Sequence, residues 1–373
     1  FGIQTYFLSK AFSYLIRITL YTIDKSLLDQ DFLLIFFLNL NPIDWLSFSF
    51  SIILQGYLFS KGFAFNKKII NVSAFVVYSG LLIFFLIILL SDVNYIFRSL
   101  NETIVIPNLL LKQNISTIFA IAGTTFAYFS VILVNFGDFS RYVKNEDELN
   151  KGNLSIFLNL LIFSFFTIFI IVGAEALLNK DLESTERIFT NPTDIIGKFD
   201  NIKITILALF FILFASISTN LIANFIPSQN ALLNFLPSSL TLKSSMLIII
   251  LFGFLIGIFW LPILSQIGIL SLIDTIAAFF GPMFGVMVVD YYLVNNKNLN
   301  NKDIYSTDIT GSYYFSGGWH IKAFYSMFLG FVFAAGTIWN DNLMHLQSYS
   351  WLIGAFIASF SYFLLVNDKR VNA

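Results

Sequence analysis

Apolar segments of about 20 residues recur along this chain and are separated by short polar stretches. A helix of that length, at ~1.5 Å per residue, covers the ~30 Å hydrocarbon layer of a bilayer. We predict about ten such spans, near residues 1–22, 42–60, 69–90, 115–136, 154–178, 203–226, 242–261, 264–294, 320–338 and 346–366. Because a lone segment in lipid satisfies its backbone only as a helix, the chain is predicted to be an all-α polytopic membrane protein.

The composition agrees with this class and excludes several kinds of site. Of the 373 residues, 57% are hydrophobic and 12% are charged, whereas soluble domains carry about 25% charged residues. Cys is absent and His occurs only twice, which excludes disulfides, thiolate metal sites and a histidine-based metal centre. The net charge of −1 gives no indication of nucleic-acid binding.

The distribution of basic residues predicts the orientation. If the first span runs from inside to outside, Lys and Arg are more frequent in the loops placed inside, as at Lys61, Lys68, Arg141 and Lys144. Cytoplasmic loops carry an excess of Lys and Arg. We therefore expect a multi-pass protein of the inner (plasma) membrane with a cytoplasmic C-terminus.

One apolar segment becomes abruptly polar. After the apolar run that ends at Phe214, the chain reads Ala-Ser-Ile-Ser-Thr-Asn-Leu-Ile-Ala-Asn over 215–224. Asn220 and Asn224 share one helix face, and their amides could grip a heterocycle. Ala215, Ser218 and Thr219 lie on another face, where hydroxyls and freed carbonyls could hold a small cation. The alternative is that these groups join neighbouring helices, a common role of Ser, Thr and Asn in membranes.

Two other spans contain helix-disturbing residues. In the fourth span, Gly123-Thr124-Thr125 favours a broken helix. Phe129 follows, and its ring either stacks on a ligand or packs in the core. In the eighth span, Gly281-Pro282 indicates either a hinge that gates a site or a static kink.

Lys10, Arg17 and Asp274 are charged residues within predicted spans. Lys10 and Arg17 share one face of the first span, and Arg17 is interpreted as reaching the nearby interface with its charged end. Asp274, near the outer end of the eighth span, is interpreted as a hydrogen-bonded interfacial acid rather than a proton carrier.

Together these pieces resemble the nucleobase:cation symporter-1 family of hydantoin, allantoin, uracil and purine permeases. The segment Phe1-Gly2-Ile3-Gln4-Thr5 is similar to the family's third helix, and 135–142 to its Asn-x-x-Asp-Phe-[Ser/Thr]-Arg-Tyr motif. Ser218-Thr219-Asn220 with Asn224 resembles the eighth helix. Residues 285–292 and the Gly- and Tyr-rich loop after them complete a match that extends over the whole chain.

The resemblance implies the leucine-transporter fold, with two inverted five-helix repeats and two extra helices. Residues 1–373 would then form a single transmembrane transporter domain that lacks the first two helices. By this assignment 1–90 is the remainder of the first repeat, 115–294 is the second repeat, and 320–366 holds the two additional C-terminal helices.

The resemblance also implies roles for individual side chains in substrate binding. Gln4 and Asn224 match amides that hydrogen-bond the substrate, and Asn220 belongs to the same amide stripe. An amide both donates and accepts, so it can read a cyclic imide or ureide. Phe129 stands where a stacking Trp occurs in the family.

The same resemblance implies a partial sodium site. The Ala215 carbonyl and the hydroxyls of Ser218 and Thr219 match its ligands, and hard oxygen atoms of this kind suit a small alkali cation. The resemblance implies no other cofactor, although the choice between sodium and proton stays open.

The predicted function is that of a secondary active transporter rather than an enzyme. It would import a nucleobase-like or ureide heterocycle, such as uracil, allantoin, hydantoin or a purine, by cation-coupled alternating access. The alternative is an inactive fragment or a non-transporting membrane sensor, which the two lacking helices support. The expected partners are this small molecule and the lipid bilayer, with no nucleic acid and no second subunit.

Overall fold

The computed structural model describes residues 1–103, 112–179, 201–260, 269–300, 302–306 and 308–367. These residues form an almost entirely helical protein, which confirms the predicted all-α class. Its contacts group the chain into two compact units. Unit 1 comprises Phe1–Ile106 and Ser140–Ile263, and unit 2 comprises Pro107–Phe139 and Leu264–Ala373. The assignment of residues to inverted repeats stays a prediction.

The α-helices are named in chain order. They are α1 (Gly2–Ile23), α2 (Pro42–Ser60), α3 (Phe63–Ser91), α4 (Val93–Thr103), α5 (Lys112–Val134), α6 (Phe136–Ser140), α7 (Glu146–Asn179), α8 (Ile202–Thr219), α9 (Ile226–Phe235), α10 (Leu242–Ile258), α11 (Ile269–Val289), α12 (Ile321–Trp339) and α13 (Ser350–Asn367). A π-helical segment, Asn220–Phe225, joins α8 to α9, and another, Asp290–Val294, follows α11.

Seven helices within the described ranges are long and apolar enough to cross a membrane: Phe63–Ser91, Thr117–Val134, Glu146–Leu178, Ile202–Phe235, Asp274–Val294, Ile321–Trp339 and Asp341–Val366. The other three predicted spans are also helical. Of these, α10 has 17 residues, while α1 and α2 carry more polar side chains. Most of the segment between the predicted spans 154–178 and 203–226 lies outside the described residues, as do residues 368–373. The orientation stays a prediction.

In unit 1, α1 is the central helix and packs against α2, α8 and α10. Leu8 and Ala11 of α1 form a buried cluster with Leu209 and Leu213 of α8. Gly2 allows α1 to approach α10, because a side chain there would collide with the carbonyl of Gly253. The second layer of the unit is α3, which packs against α7 and α8.

In unit 2, α11, α12 and α13 pack against one another, and α5 packs against α11. Helix α11 continues through Pro282. Pro282 is buried and lies against Gly330 of α12 and Gly354 of α13. The interpretation of Gly281-Pro282 as either a gating hinge or a static kink stays a prediction.

Two local expectations are wrong. Helix α5 is unbroken at Gly123-Thr124-Thr125, and the Thr125 hydroxyl donates to the Ile121 carbonyl of the same helix at 2.8 Å. The span predicted to end at residue 226 instead continues as a helix to Phe235, through the π-helical segment and Pro227.

Candidate functional site

The π-helical segment Asn220–Phe225 lies at the polar stretch that the sequence singled out. Pro227, at the start of α9, has no N–H to donate to the carbonyl of Ala223 four residues earlier. An α-helical hydrogen-bond ladder therefore cannot run unchanged through this point, and a wider turn replaces it. Such π-bulges occur mostly within α-helices and frequently at functional sites.

A chain of hydrogen bonds connects this segment to α1. Asn224 Nδ2 donates to Asn220 Oδ1 at 2.6 Å, and Asn220 Nδ2 donates to Thr5 Oγ1 at 2.9 Å. The Thr5 hydroxyl in turn donates to the Phe1 carbonyl at 3.0 Å. Asn220 and Thr5 are both 0% exposed. The two asparagines therefore do share one face, and the buried amide of Asn220 holds the amide of Asn224.

The half-buried Asn224 keeps hydrogen-bonding capacity for a ligand. The side-chain amide of Asn224 has two N–H groups, and one of them donates to Asn220. Its carbonyl oxygen accepts no hydrogen bond from a described residue. Gln4, next to Thr5 on α1, is also half-buried, and no hydrogen bond joins its side chain to the described part of the chain. The Thr5–Asn220 bond thus brings the elements that carry Gln4 and Asn224 together.

The candidate cation ligands lie at the end of α8. The Ser218 hydroxyl donates to the Ala215 carbonyl at 3.0 Å, so these two oxygen atoms are adjacent. Ser218 is half-buried and Thr219 is exposed. The arrangement places neutral oxygen atoms directly before the amide chain, since Asn220 follows Thr219.

Phe129 belongs to unit 2, whereas Gln4, Asn220 and Asn224 belong to unit 1. Phe129 lines a pocket of about 440 Å³ in unit 2 together with Thr117, Ile121, Thr124, Thr125, Tyr128 and Ser348. Its ring meets the Tyr128 ring edge to face, with centroids 5.1 Å apart. A single binding site that combines Phe129 with the amides of unit 1 stays a prediction.

An ionic cluster between α1 and α2 was not foreseen from the sequence. Asp44 Oδ2 lies 3.2 Å from Lys10 Nζ, and Asp44 Oδ1 lies 3.8 Å from an Arg17 guanidinium nitrogen. The Ser13 hydroxyl donates to Asp44 Oδ1 at 2.7 Å. Arg17 is therefore held by a largely buried acid rather than directed only towards the interface. The sequence did contain one indication of this cluster. Asp44 is an acid in the hydrophobic α2, and the two cations Lys10 and Arg17 share one face of α1, so the three charges could have been paired.

A second polar cluster lies where α11, α12 and α13 meet in unit 2. The Tyr362 hydroxyl donates to Asp290 Oδ1 at 2.6 Å and lies 2.9 Å from His320 Nε2. Phe315 stacks on the His320 ring at 3.9 Å between centroids. Burial lowers the pKa of His320, although the nearby Asp290 carboxylate opposes that effect. The sequence contained these residues at separated positions and gave no sign that they meet.

The interpretation of Asp274 as a hydrogen-bonded acid is confirmed. Gln347 Nε2 donates to Asp274 Oδ2 at 2.7 Å, and the acid is half-buried.

Comparison with known proteins supplies the family context of these sites. A family model described as a permease for cytosine/purines, uracil, thiamine and allantoin matches residues 1–354. The purine-uracil permease NCS1 of Arabidopsis thaliana is 26% identical over 206 residues, which are 55% of this chain and 33% of that protein. The allantoin permease of Bacillus subtilis is 25% identical over 248 residues, or 66% of this chain and 49% of the relative. The chain thus spans between a third and a half of these relatives.

A solved structure shows the same fold. Mhp1, a nucleobase-cation-symport-1 family transporter in a closed conformation with bromovinylhydantoin bound, matches 99% of this chain. The TM-score is 0.66 and the sequence identity is 17%, over 73% of the Mhp1 chain. This likeness confirms the predicted fold class.

Proposed function

Because the chain belongs to the family of permeases for cytosine/purines, uracil, thiamine and allantoin, we propose that it acts as a secondary active transporter for a planar heterocycle. The observation that carries this proposal is the hydrogen-bond chain from Asn224 through Asn220 to Thr5 at the π-helical segment. It supports a ligand-facing amide on a helix that is otherwise apolar. The named relatives are permeases rather than enzymes.

The chemistry of the amides supports a nucleobase-like or ureide substrate. Uracil, hydantoin and allantoin each present ring N–H donors beside carbonyl acceptors. Asn224 and Gln4 each offer a donor and an acceptor, so they can pair with such an edge. Phe129 would contribute a flat face for stacking on the substrate ring.

The oxygen atoms of α8 support coupling to a small cation. Sodium would take the Ala215 carbonyl and the hydroxyls of Ser218 and Thr219, which precede the amide chain on the same helix. A cation that orders this end of α8 would favour the conformation in which Asn224 is held for the substrate. Each ligand would then raise the affinity for the other by the same factor. Import would follow by alternating access around this site.

The test is uptake into proteoliposomes that contain the full-length protein. Labelled uracil, allantoin and hydantoin are offered with an inward sodium gradient, with an inward proton gradient, and with neither. We expect one of the three to accumulate, and to do so only under the sodium gradient. Accumulation under a proton gradient alone would reject sodium coupling while retaining the transporter. Binding of a heterocycle without any accumulation would instead favour the membrane sensor.

A further inference from the structure

Ser73 on α3 is a buried hydroxyl that lacks a hydrogen-bond partner. Its side chain is 0% exposed, and Oγ bonds to no atom in the part of the chain that the structure describes. Other buried serines donate to a carbonyl of their own helix, as Ser51 does to Ser47 at 2.7 Å and Ser130 to Ala127 at 2.7 Å. Ser47 shares the unpaired state of Ser73 within the described residues, but it lies on α2 rather than at the α3–α8 contact. An unpaired buried hydroxyl costs roughly 1–3 kcal/mol, so this position indicates a missing partner.

The packing of α3 on α8 places Ser73 level with Ser218. The two helices run in opposite directions, because Gly80 of α3 lies against the ring of Phe211, while Ile69 and Ile70 pack in one cluster with Leu221 and Phe225. Ser73 is seven residues before Gly80, and Ser218 is seven residues after Phe211. Seven residues are about two helical turns and return to nearly the same face. Ser73 and Ser218 therefore occupy facing positions at the same height of the interface.

The chemistry of this position suits an alkali cation. Ser218 uses its proton on the Ala215 carbonyl, so the lone pairs of its oxygen remain available. Ser73 adds a second hydroxyl oxygen with no competing partner. Neutral hydroxyl and carbonyl oxygens, without thiolate or imidazole, are ligands for a hard cation rather than for a transition metal.

We infer that Ser73 supplies a further oxygen ligand to the cation site on α8, so that α3 and α8 share the bound ion. This inference rests on the proposed function, in which Ala215, Ser218 and Thr219 hold the coupling cation. It adds a ligand from a second sequence region and explains the unpaired hydroxyl. The bound cation would also stabilise the contact between α3 and α8, so that binding of the ion affects the positions of both helices.

The experiment measures how substrate uptake by the full-length protein depends on sodium concentration. Ser73→Ala is expected to raise the sodium concentration for half-maximal uptake about fivefold, which corresponds to the ~1 kcal/mol of one polar contact. The maximal rate at saturating sodium should change little. Ser73→Thr, which keeps the hydroxyl, should stay near the wild-type value. Ser51→Ala is the matched control, because it removes a buried serine hydroxyl that has a backbone partner.

Each outcome decides the inference. An unchanged sodium dependence in Ser73→Ala, or an equal change in Ser51→Ala, would overturn it while leaving the coupled transporter in place. If uptake by the wild-type protein does not depend on the sodium concentration, the proposed sodium coupling is overturned as well. If alanine prevents membrane insertion, Ser73→Cys replaces the oxygen with sulfur at nearly constant size, and the same shift is expected because sulfur is a poor ligand for a hard cation.

Discussion

Asn220 Oδ1 accepts a 2.6 Å hydrogen bond from the side chain of Asn224, and this bond sets the orientation of the Asn224 amide. Asn220 is itself held by Thr5 and is 0% exposed. A buried amide with both ends engaged has one orientation, since turning it would oppose donor to donor. The two asparagines thus have different tasks, one as support and the other as the group presented to a ligand.

The presented amide is expected to be essential for uptake. Asn224→Ala removes both a donor and an acceptor from the proposed substrate edge, and we expect uptake of the heterocycle to be abolished. Immunoblotting of the membrane fraction should show that insertion is intact. Asn159→Ala is the control, because that amide is exposed on α7 and bonds within its own helix. Normal uptake by Asn224→Ala would remove the substrate assignment.

Asn220, the supporting amide, is expected to affect the affinity for the substrate rather than the rate of transport. Asn220→Ala frees Asn224 and leaves Thr5 without its donor, so KM should rise about tenfold, equivalent to ~1.4 kcal/mol, with kcat little changed. Thr5→Val removes the acceptor of Asn220 without touching Asn224 and should raise KM in the same direction. If Asn220 only stabilised the fold, both variants would lower the thermal midpoint while KM stayed constant.

The ionic cluster is expected to stabilise the contact between α1 and α2. Asp44→Asn leaves Lys10 and Arg17 near each other without their acid, and we expect a loss of roughly 1–3 kcal/mol, below the ~3–5 kcal/mol for a fully buried pair. The side chains of the two cations are 29% and 34% exposed, so water screens part of the effect. Thermal unfolding of the purified protein measures it. Asp29→Asn, at an exposed acid, is the control, and the double change Lys10→Met with Asp44→Asn should recover part of the loss.

The His320 cluster predicts a pH dependence of stability. The ring accepts the Ala323 N–H through Nδ1, and burial lowers its pKa, so the folded protein favours the neutral form. The neighbouring Lys322 acts in the same direction and Asp290 opposes it. For a base with a lowered pKa, this stability is fully present above the unfolded value of ~6.5 and is lost as the pH falls towards the lower folded value.

The thermal midpoint should therefore fall between about pH 7.5 and pH 5.5, and His320→Asn should reduce that fall. Asparagine keeps a side-chain oxygen that can cap α12 without titrating. His345→Asn changes the other, exposed histidine and should leave the pH dependence as in the wild type. Equal pH dependence in the wild type and His320→Asn would show that His320 does not carry it.

Helical periodicity explains which parts of the site could be predicted. Asn220 and Asn224 are one turn apart, so any helix places them on one face, and the structure confirms their hydrogen bond. The apolar length of each segment likewise predicted the long helices, whereas the shorter α4, α6 and α9 were not predicted. Local rules failed at Gly123-Thr124-Thr125, because Gly and Thr only disfavour a helix weakly and the packing of α5 keeps it intact.

By itself, the sequence determined that this is a helical membrane protein of the permease family and which helix faces carry polar groups, because hydrophobic length and helical period act within one segment. Only the tertiary structure decided which segments meet: Asp44 with Lys10, Tyr362 with His320, and Gly80 with Phe211. These meetings depend on the direction and register of packed helices. Such packing is set by side-chain fit between segments that lie far apart in the chain, which a single segment does not encode.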